Sequence, residues 1–433
     1  LANDQPGEER TLIAEIIAVG SEMLTPHRQD TNSLYLTSGL NDLGVSVAFK
    51  TIVGDNRRHL ASAIRIALRR SDIVLISGGL GPTEDDLTRE CLAEVLGRQL
   101  RRDPAILAEL KTRFAVRKTP MPPNNAKQAD LLEGAILLNN VNGSAPGQWI
   151  DTTFPGPDGL PFRKIILLLP GPPRELNSLF DTEAKPRLAA TLPPSHLARR
   201  VLRMALLPES QVDARTAPIY SQFPDVETTI LAGGGEIQLH FLCIKPTLAE
   251  AEARVEALVD LVSREMGDDI FSSSDESLPE VVLLLLGLRN HTLAVAESCT
   301  GGLLGERLTT IPNSSRVFLG GAITYSMHTK TTLADVPAYL LEKHGSVSHP
   351  VARAMADGIR RRTGATLALS ITGIAGPSLP TGPDSVKPIG LVFIALSDGE
   401  DTQVRQLHLT GDRDRIRLWA TQHALEMLRH YLQ

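Results

Sequence analysis

The strongest constraint on this chain is a local pattern that recurs along it: a short apolar run stops at a glycine-rich turn, and a helical pattern follows. Residues 72–77 run into Gly78-Gly79-Leu80-Gly81-Pro82, residues 293–297 break at Ser298-Cys299-Thr300-Gly301-Gly302, and residues 367–372 end at Gly373-Ile374-Ala375-Gly376. Buried strands that alternate with helices in this way predict α/β units whose sheets are mostly parallel. In such sheets the chemistry collects at the carboxyl ends of the strands.

The pattern predicts strands at residues 12–19, 45–53, 72–77, 135–138 and 164–169, with helices over 31–43, 57–70 and from about 86. Leu60, Ile64, Ala67 and Leu68 share one helical face. The Pro- and Gly-rich insert at 152–161 reads as a surface loop. Residues 199–271 change to a short α+β pattern, with strands at 200–207 and 236–245 and a helix over 247–266. A polar linker at 272–277 then leads to a buried helix through 281–288, strands at 292–296, 323–325 and 367–373, and a closing helix over 412–431. The expected fold is therefore two three-layer α/β domains with mostly parallel sheets, joined by a small α+β domain. Their boundaries are set at 1–182, 183–271 and 272–433.

Composition narrows the function. At 433 residues, one core is not expected to serve the whole chain. A net charge of -6 and 4% aromatic residues argue against a nucleic-acid partner, since they offer neither a basic surface nor stacking platforms. The longest apolar run is far short of the ~20 residues of a membrane helix. The three cysteines, Cys91, Cys243 and Cys299, lie far apart, and the start is polar and acidic. A cytoplasmic location is expected on those grounds.

Ser298 stands where a strand turns into a helix, the position of a nucleophile with backbone N–H groups beside it. Serine needs a base, and Lys330 in Gly320-Gly-Ala-Ile-Thr-Tyr-Ser-Met-His-Thr-Lys330 can supply one if burial lowers its pKa. Tyr325 sits between them in sequence. Thr372 and the turn after it suit a phosphate or ribose, and Arg413 at the start of the last helix suits a phosphate. Other roles remain open: a capping Ser298, a surface Lys330, or Cys299 as the nucleophile. In the first domain Glu22, Asp85 and Asp86 could hold a divalent cation beside the glycine-rich loop. Asp85 and Asp86 would equally serve as caps of the next helix.

The motifs AESCTGG, GGAITYSxxxK, HGSVS, SITGIAGP, KPIG and GDRDRIR occur in that order over 277–430. Together they resemble the CinA carboxy-terminal domain, the nicotinamide mononucleotide deamidase family. The resemblance implies Ser298 as nucleophile with Lys330 and Tyr325. It also implies substrate contacts at Glu297, Thr300, Gly301, Gly302, Thr372, Gly373 and Arg413, and no cofactor. This sequence departs from the family at Met327, where Asn is usual, and in the loop 377–388, which is Pro-rich and lacks the expected Gly-Gly.

Residues 12–182 resemble the molybdopterin-binding-like domain of full-length CinA proteins through AVGSE, QDTNS, SGGLGPTEDD, GSAPG and LPGPP. That implies metal-dependent hydrolysis of ADP-ribose to AMP and ribose 5-phosphate. Asp85 and Asp86 would bind Co2+, Mg2+ or Mn2+, with a monovalent cation alongside. Glu22, Asn32, Gly78, Gly79, Gly81 and Thr83 would complete the site. The loop 25–29 differs from the shorter one of many relatives. The middle region resembles a KH-like connecting domain, but Gly233-Gly-Gly235 is no basic clamp, so RNA is not implied. The implied partners are the two small substrates and a second copy in a homodimer. The alternatives are a DNA-uptake or recombination accessory factor, and a first domain that carries a pterin or nucleotide without turnover.

Overall fold

The computed structural model describes residues 12–116, 118–156, 159–379 and 382–433. The acidic start at 1–11 lies outside them, as do small parts of the loops at 152–161 and 377–388. The chain divides into two compact units, 1–197 with 244–251 and 198–243 with 252–433.

The first unit is built from β1 (Ile13–Val19), α1 (Thr31–Asn41), β2 (Ser46–Val53), α2 (Arg57–Arg70), β3 (Ile73–Ser77) and α3 (Thr88–Leu96). There follow β4 (Leu100–Arg102), α4 (Pro104–Val116), β5 (Asp130–Leu132), β6 (Ile136–Leu138), β7 (Gly147–Pro155), β8 (Pro161–Leu169), α5 (Pro173–Leu179) and α6 (Lys185–Thr191). Six strands form one sheet in the order β2-β1-β3-β8-β7-β6, and β4 pairs with β5 apart from it. The pairings from β2 to β8 are parallel, so these four strands bring their carboxyl ends to one edge.

Alternation along the strands makes the layers. Ile17, Val74, Ile76, Ile166 and Leu168 pack with Leu60, Ile64, Ala67 and Leu68 of α2 on one face. Ile16, Ile73, Leu75, Ile165 and Leu167 pack with Leu36, Leu40 and Leu176 on the other. That is the period of two expected of strands covered on both faces. Side chains start the helices: Asp30 accepts from Ser33 N at α1, and Asn56 accepts from Arg58 N and His59 N at α2.

Two expectations are corrected here. The helix expected from about 86 begins at Thr88, with Leu87 as its cap residue and no side-chain cap bond. The insert at 152–161 is not all loop, because Thr152, Thr153 and Phe154 extend β7 and pair with Lys164, Arg163 and Phe162 of β8. β-branched and aromatic residues outweigh the flanking Pro and Gly there.

Beyond α6 come β9 (His196–Ala205), α7 (Glu209–Tyr220), β10 (Glu227–Gly233), β11 (Glu236–Lys245), α8 (Leu248–Met266) and β12 (Ile270–Ser272). Their strands form a four-stranded sheet ordered β10-β11-β9-β12. Then follow α9 (Leu278–Leu288), β13 (Leu293–Glu297), α10 (Leu303–Thr309), β14 (Phe318–Ile323), α11 (Met327–Ala334) and α12 (Ala338–His344). The chain closes with α13 (His349–Thr363), β15 (Leu367–Gly373), β16 (Leu391–Ser397), β17 (Thr402–His408) and α14 (Arg413–Leu432).

The five-stranded sheet runs β14-β13-β15-β16-β17. Its first three strands are parallel, whereas β16 runs antiparallel to both β15 and β17; the Asp398 carboxylate and the Asp398–Asp401 backbone bond close the tight turn that joins β16 to β17. On β13, Leu293 and Val295 face Val282, Leu286, Ala420 and Leu425, while Ala294 and Ala296 face Val351 and Met355 of α13. The α9 helix is buried on one face only; Leu284 and Leu288 are exposed. Among the described residues no helix is long and apolar enough to cross a membrane.

A close approach holds β14 against β13. A Cβ on Gly321 would stand 2.2 Å from the Val295 carbonyl oxygen, a separation that no side chain tolerates without moving the strand. Gly321→Ala is therefore expected to destabilise the second unit by about 1 to 3 kcal/mol. Denaturant unfolding against wild type measures it, and an unchanged midpoint would refute the close approach.

Candidate active site

Ser298 follows the last residue of β13, between the ends of β14 and β15. Its N–H donates to Ile371 O at 2.9 Å, while Thr324 N donates to Glu297 O at 2.6 Å. Neighbouring strands on both sides thus fix the backbone of the turn. Ser298 is not a cap, since the cap residue of α10 is Gly302, four residues later, whose φ of +98° favours glycine.

The chain after β14 turns at Thr324 and enters α11, where a capping box between Ser326 and Thr329 fixes the start. One turn into that helix, Lys330 points back to the sheet end. Its Nζ lies 2.9 Å from Ser298 Oγ and donates to Thr324 O at 2.7 Å. Lys330 is 0% exposed, so the open alternative of a surface lysine is excluded. Burial pushes the ammonium down to about 8, against a weaker upward pull from Cys299 and Asp384. Cys299 is buried too, and burial pushes its thiol up to about 11. Its thiolate is thereby suppressed, which leaves the serine as the group paired with a base.

The other expected residues are distributed differently. The Glu297 carboxylate accepts Gly302 N at 3.0 Å, Leu304 N at 3.1 Å and Gly305 N at 2.8 Å. It ties down the amino end of α10 and is not free for a substrate, and the amides it takes are not free to stabilise an oxyanion. The N–H groups of Cys299 and Thr300 have no protein acceptor among the described residues. Thr300 O accepts from Arg417 Nη2 at 2.9 Å, and Thr300 Oγ1 is buried without a partner. Thr372 is 0% exposed and donates its hydroxyl to Ser346 O at 2.8 Å, so the phosphate or ribose role expected for that hydroxyl is not supported. Gly373 packs beside Cys299 Sγ. Tyr325 is exposed at the rim and bonds neither Ser298 nor Lys330 among the described residues; its OH accepts from Arg413 Nη2 at 3.1 Å. Arg413 Nη1 donates to Gly376 O at 2.6 Å.

Asp384 was not anticipated as part of this region. It is buried, accepts Ser346 N at 2.8 Å and Val347 N at 3.2 Å, and pairs with Lys387 at 2.6 Å. Lys387 also donates to His344 O and Val347 O. The HGSVS and KPIG segments are thus one clamp, and it fastens the Pro-rich loop. The lone acid three residues before Lys387 was the available signal.

In the first unit, the carboxyl ends of β1, β2, β3 and β8 open on a cavity of about 570 Å³ lined by Glu22, Asn32, Gly78, Gly79, Gly81, Thr83, Asp85 and Asp86. The structure therefore gathers all the residues singled out there. Asp86 is neither a helix cap nor wholly free: its Oδ2 accepts Thr83 N at 2.9 Å and Thr83 Oγ1 at 2.5 Å. Lys127 Nζ donates to Thr83 O and Asp86 O. Asn32 Nδ2 donates to Ser77 Oγ and Gly171 O, and its buried Oδ1 has no partner. Asp55 and Glu175 also line the cavity. They were missed because only the sheet topology, and no motif spacing, brings the ends of β2 and α5 beside the glycine-rich loop. Among the described residues no group of three or more His, Cys, Asp or Glu side chains could cage a metal. A hard cation would find single carboxylate oxygens from Asp85, Asp86 or Glu22, with its other places left to substrate oxygens and water.

Residues 275–432 match the family model described as CinA C-terminal domain, and residues 15–190 match the probable molybdopterin binding domain. A CinA-like protein of Acidobacterium capsulatum is 56% identical over 421 residues, 97% of this chain and 100% of that protein. A CinA-like protein of Koribacter versatilis is 52% identical over the same shares of the two chains. The crystal structure of competence/damage inducible protein CihA from Agrobacterium tumefaciens is 34% identical, with 36% of this chain and 94% of that one covered at a TM-score of 0.34.

The buried lysine makes stability depend on pH. Its folded pKa of about 8 lies below its ordinary 10.5, so the cost of the buried charge is fully present below about 8 and is relieved as pH rises toward 10.5. Relative to Lys330→Met, the wild type is expected to gain up to about 3 kcal/mol over that window. Paired denaturant titrations at several pH values test it; a pH-independent difference would contradict a depressed lysine.

Proposed function

The chain belongs to the CinA family, and we propose that its carboxy-terminal domain hydrolyses the carboxamide of nicotinamide mononucleotide, releasing ammonia and nicotinate mononucleotide. The observation that carries this reading is the buried contact of 2.9 Å between Lys330 Nζ and Ser298 Oγ. A lysine that titrates near 8 is neutral in a useful fraction of molecules and can take the serine proton.

In this mechanism Lys330 removes the Ser298 proton as Oγ bonds to the carboxamide carbon, and the carbonyl π electrons move onto oxygen. The N–H groups of Cys299 and Thr300 are the available donors for that oxyanion. Collapse of the intermediate breaks the C–N bond, and Lys330 returns its proton to the leaving nitrogen, which departs as ammonia. Water, deprotonated by the same lysine, then cleaves the acyl-serine ester and leaves a carboxylate and free Ser298. Arg413 and Tyr325, joined at the rim, are suited to the substrate phosphate.

For the amino-terminal domain we propose hydrolysis of the pyrophosphate of ADP-ribose in the cavity at the strand ends. A divalent ion there would be shared by Asp85, Asp86 and substrate oxygens and would neutralise phosphate charge.

Ser298→Ala should lower ammonia release on the order of a thousand-fold or more, with the melting temperature retained, while Cys299→Ala keeps most of it. The wild-type rate should climb as pH rises through about 8. Lys330→Arg should fail because a guanidinium keeps its proton. Near-full turnover in the serine or arginine variant would remove the Ser-Lys mechanism.

Asp86→Asn should cut ADP-ribose hydrolysis and leave ammonia release unchanged, measured on one preparation with and without chelator. Indifference to the chelator would dismiss the metal.

A further inference from the structure

We infer that Arg89 is a positioning residue for a phosphoryl anion in the amino-terminal cavity and acts through the glycine-rich loop without touching the anion. This rests on the reading of that cavity as a pyrophosphate site, and goes beyond it by assigning what holds the loop in a binding geometry.

Arg89 lies in the first turn of α3 and is 1% exposed. Its Nη1 donates to Leu80 O at 3.0 Å and its Nη2 to Gly81 O at 3.1 Å, while Nε has no partner. Next to it, Thr88 Oγ1 donates to Gly78 O at 2.8 Å and Thr88 N donates to Gly79 O at 3.2 Å. The carbonyls of residues 78, 79, 80 and 81 are therefore all taken by two consecutive residues of one helix.

Peptide geometry gives the consequence. In a planar trans unit the N–H points opposite to the C=O it is bonded with. Carbonyls drawn toward Thr88 and Arg89 turn the N–H groups of Gly79, Leu80 and Gly81 the other way. These residues line the cavity, and their N–H groups donate to no protein acceptor among the described residues. Pro82 ends the run because it has no N–H. Three successive amides turned to one side form an anion-binding concavity.

The charge on Arg89 adds to this. Arg89 makes no direct ion pair among the described residues, although Glu90, Asp130 and Asp86 lie near enough to favour its charge, and the guanidinium polarises the Leu80 and Gly81 peptides that it binds. Burial opposes the charged guanidinium and those carboxylates favour it, while its two forked bonds to loop carbonyls fix where it sits.

The test uses the full chain and inorganic pyrophosphate as probe, titrated by calorimetry, with ADP-ribose kinetics alongside. Arg89→Lys, which keeps charge but offers no fork for two carbonyls, should bind pyrophosphate about ten-fold more weakly and raise KM for ADP-ribose to match. Its kcat should stay close to wild type, while its melting temperature should fall, because a loop carbonyl loses its donor. Pyrophosphate affinity equal to wild type in Arg89→Lys and Arg89→Gln would overturn the role of Arg89 and leave the cavity assignment standing. A wild-type chain that neither binds pyrophosphate nor hydrolyses ADP-ribose would overturn both. Should the Arg89 variants fail to fold, Thr88→Val removes the Gly78 carbonyl bond with a side chain of the same shape; undiminished affinity there would overturn control through the loop carbonyls.

Discussion

A parallel strand that ends at a sharp turn leaves backbone polar groups that need partners, and in both units a buried ionisable side chain supplies them. At the end of β13, the Glu297 carboxylate gathers three amides of the α10 turn. At the end of β3, the Arg89 guanidinium gathers two carbonyls of the glycine-rich loop. The sign of the buried ion decides which backbone groups remain for a ligand. Glu297 removes amides from circulation and leaves only those of Cys299 and Thr300, whereas Arg89 removes carbonyls and leaves a row of amides. Unmade backbone bonds at these places would cost about 1 to 3 kcal/mol each, so neither ion can be exchanged without rebuilding its turn.

The second dependence is the desolvation of Lys330. Burial opposes its charged form, and the opposing pulls, from Cys299 and Asp384, are smaller. The Asp384 charge is largely spent on Lys387 and two backbone amides. The clamp fixes the position from which Asp384 acts on Lys330. The clamp between HGSVS and KPIG thus bears on acid-base chemistry as well as on loop position.

Much of this was legible in the sequence because it is local. Short apolar runs bounded by turns located β1, β3, β8, β13 and β15 to within a few residues, and the turn after the strand located Ser298 and the glycine-rich loop. Lys330 was found from its spacing after a strand end, although its burial could not be, since α11 looks polar in sequence. What was not legible depends on distant partners. Thr372 was given to a ligand because nothing in its neighbourhood reveals the Ser346 carbonyl. Glu297 was given to a substrate because the return of three α10 amides is a tertiary fact. The antiparallel edge of the second sheet was missed although Asp398-Gly399, with Gly399 at a φ of +98°, is a hairpin signal between β16 and β17. Asp55 and Glu175 come from separate segments that only the sheet order unites.

The two sites also show how one architecture supports different chemistry. Each lies at the carboxyl edge of parallel strands, where the first turns after the strands supply the functional groups. In the amino-terminal unit those turns contribute backbone amides around a roomy cavity that carboxylates also line. In the carboxy-terminal unit they contribute one hydroxyl and one amine in direct contact and out of water, an environment that favours proton transfer between them. The difference follows from which side chain is buried at the turn. A buried guanidinium cannot titrate, so it can only orient and polarise. A buried ammonium can lose its proton, and beside a hydroxyl the neutral amine that results can act as a base.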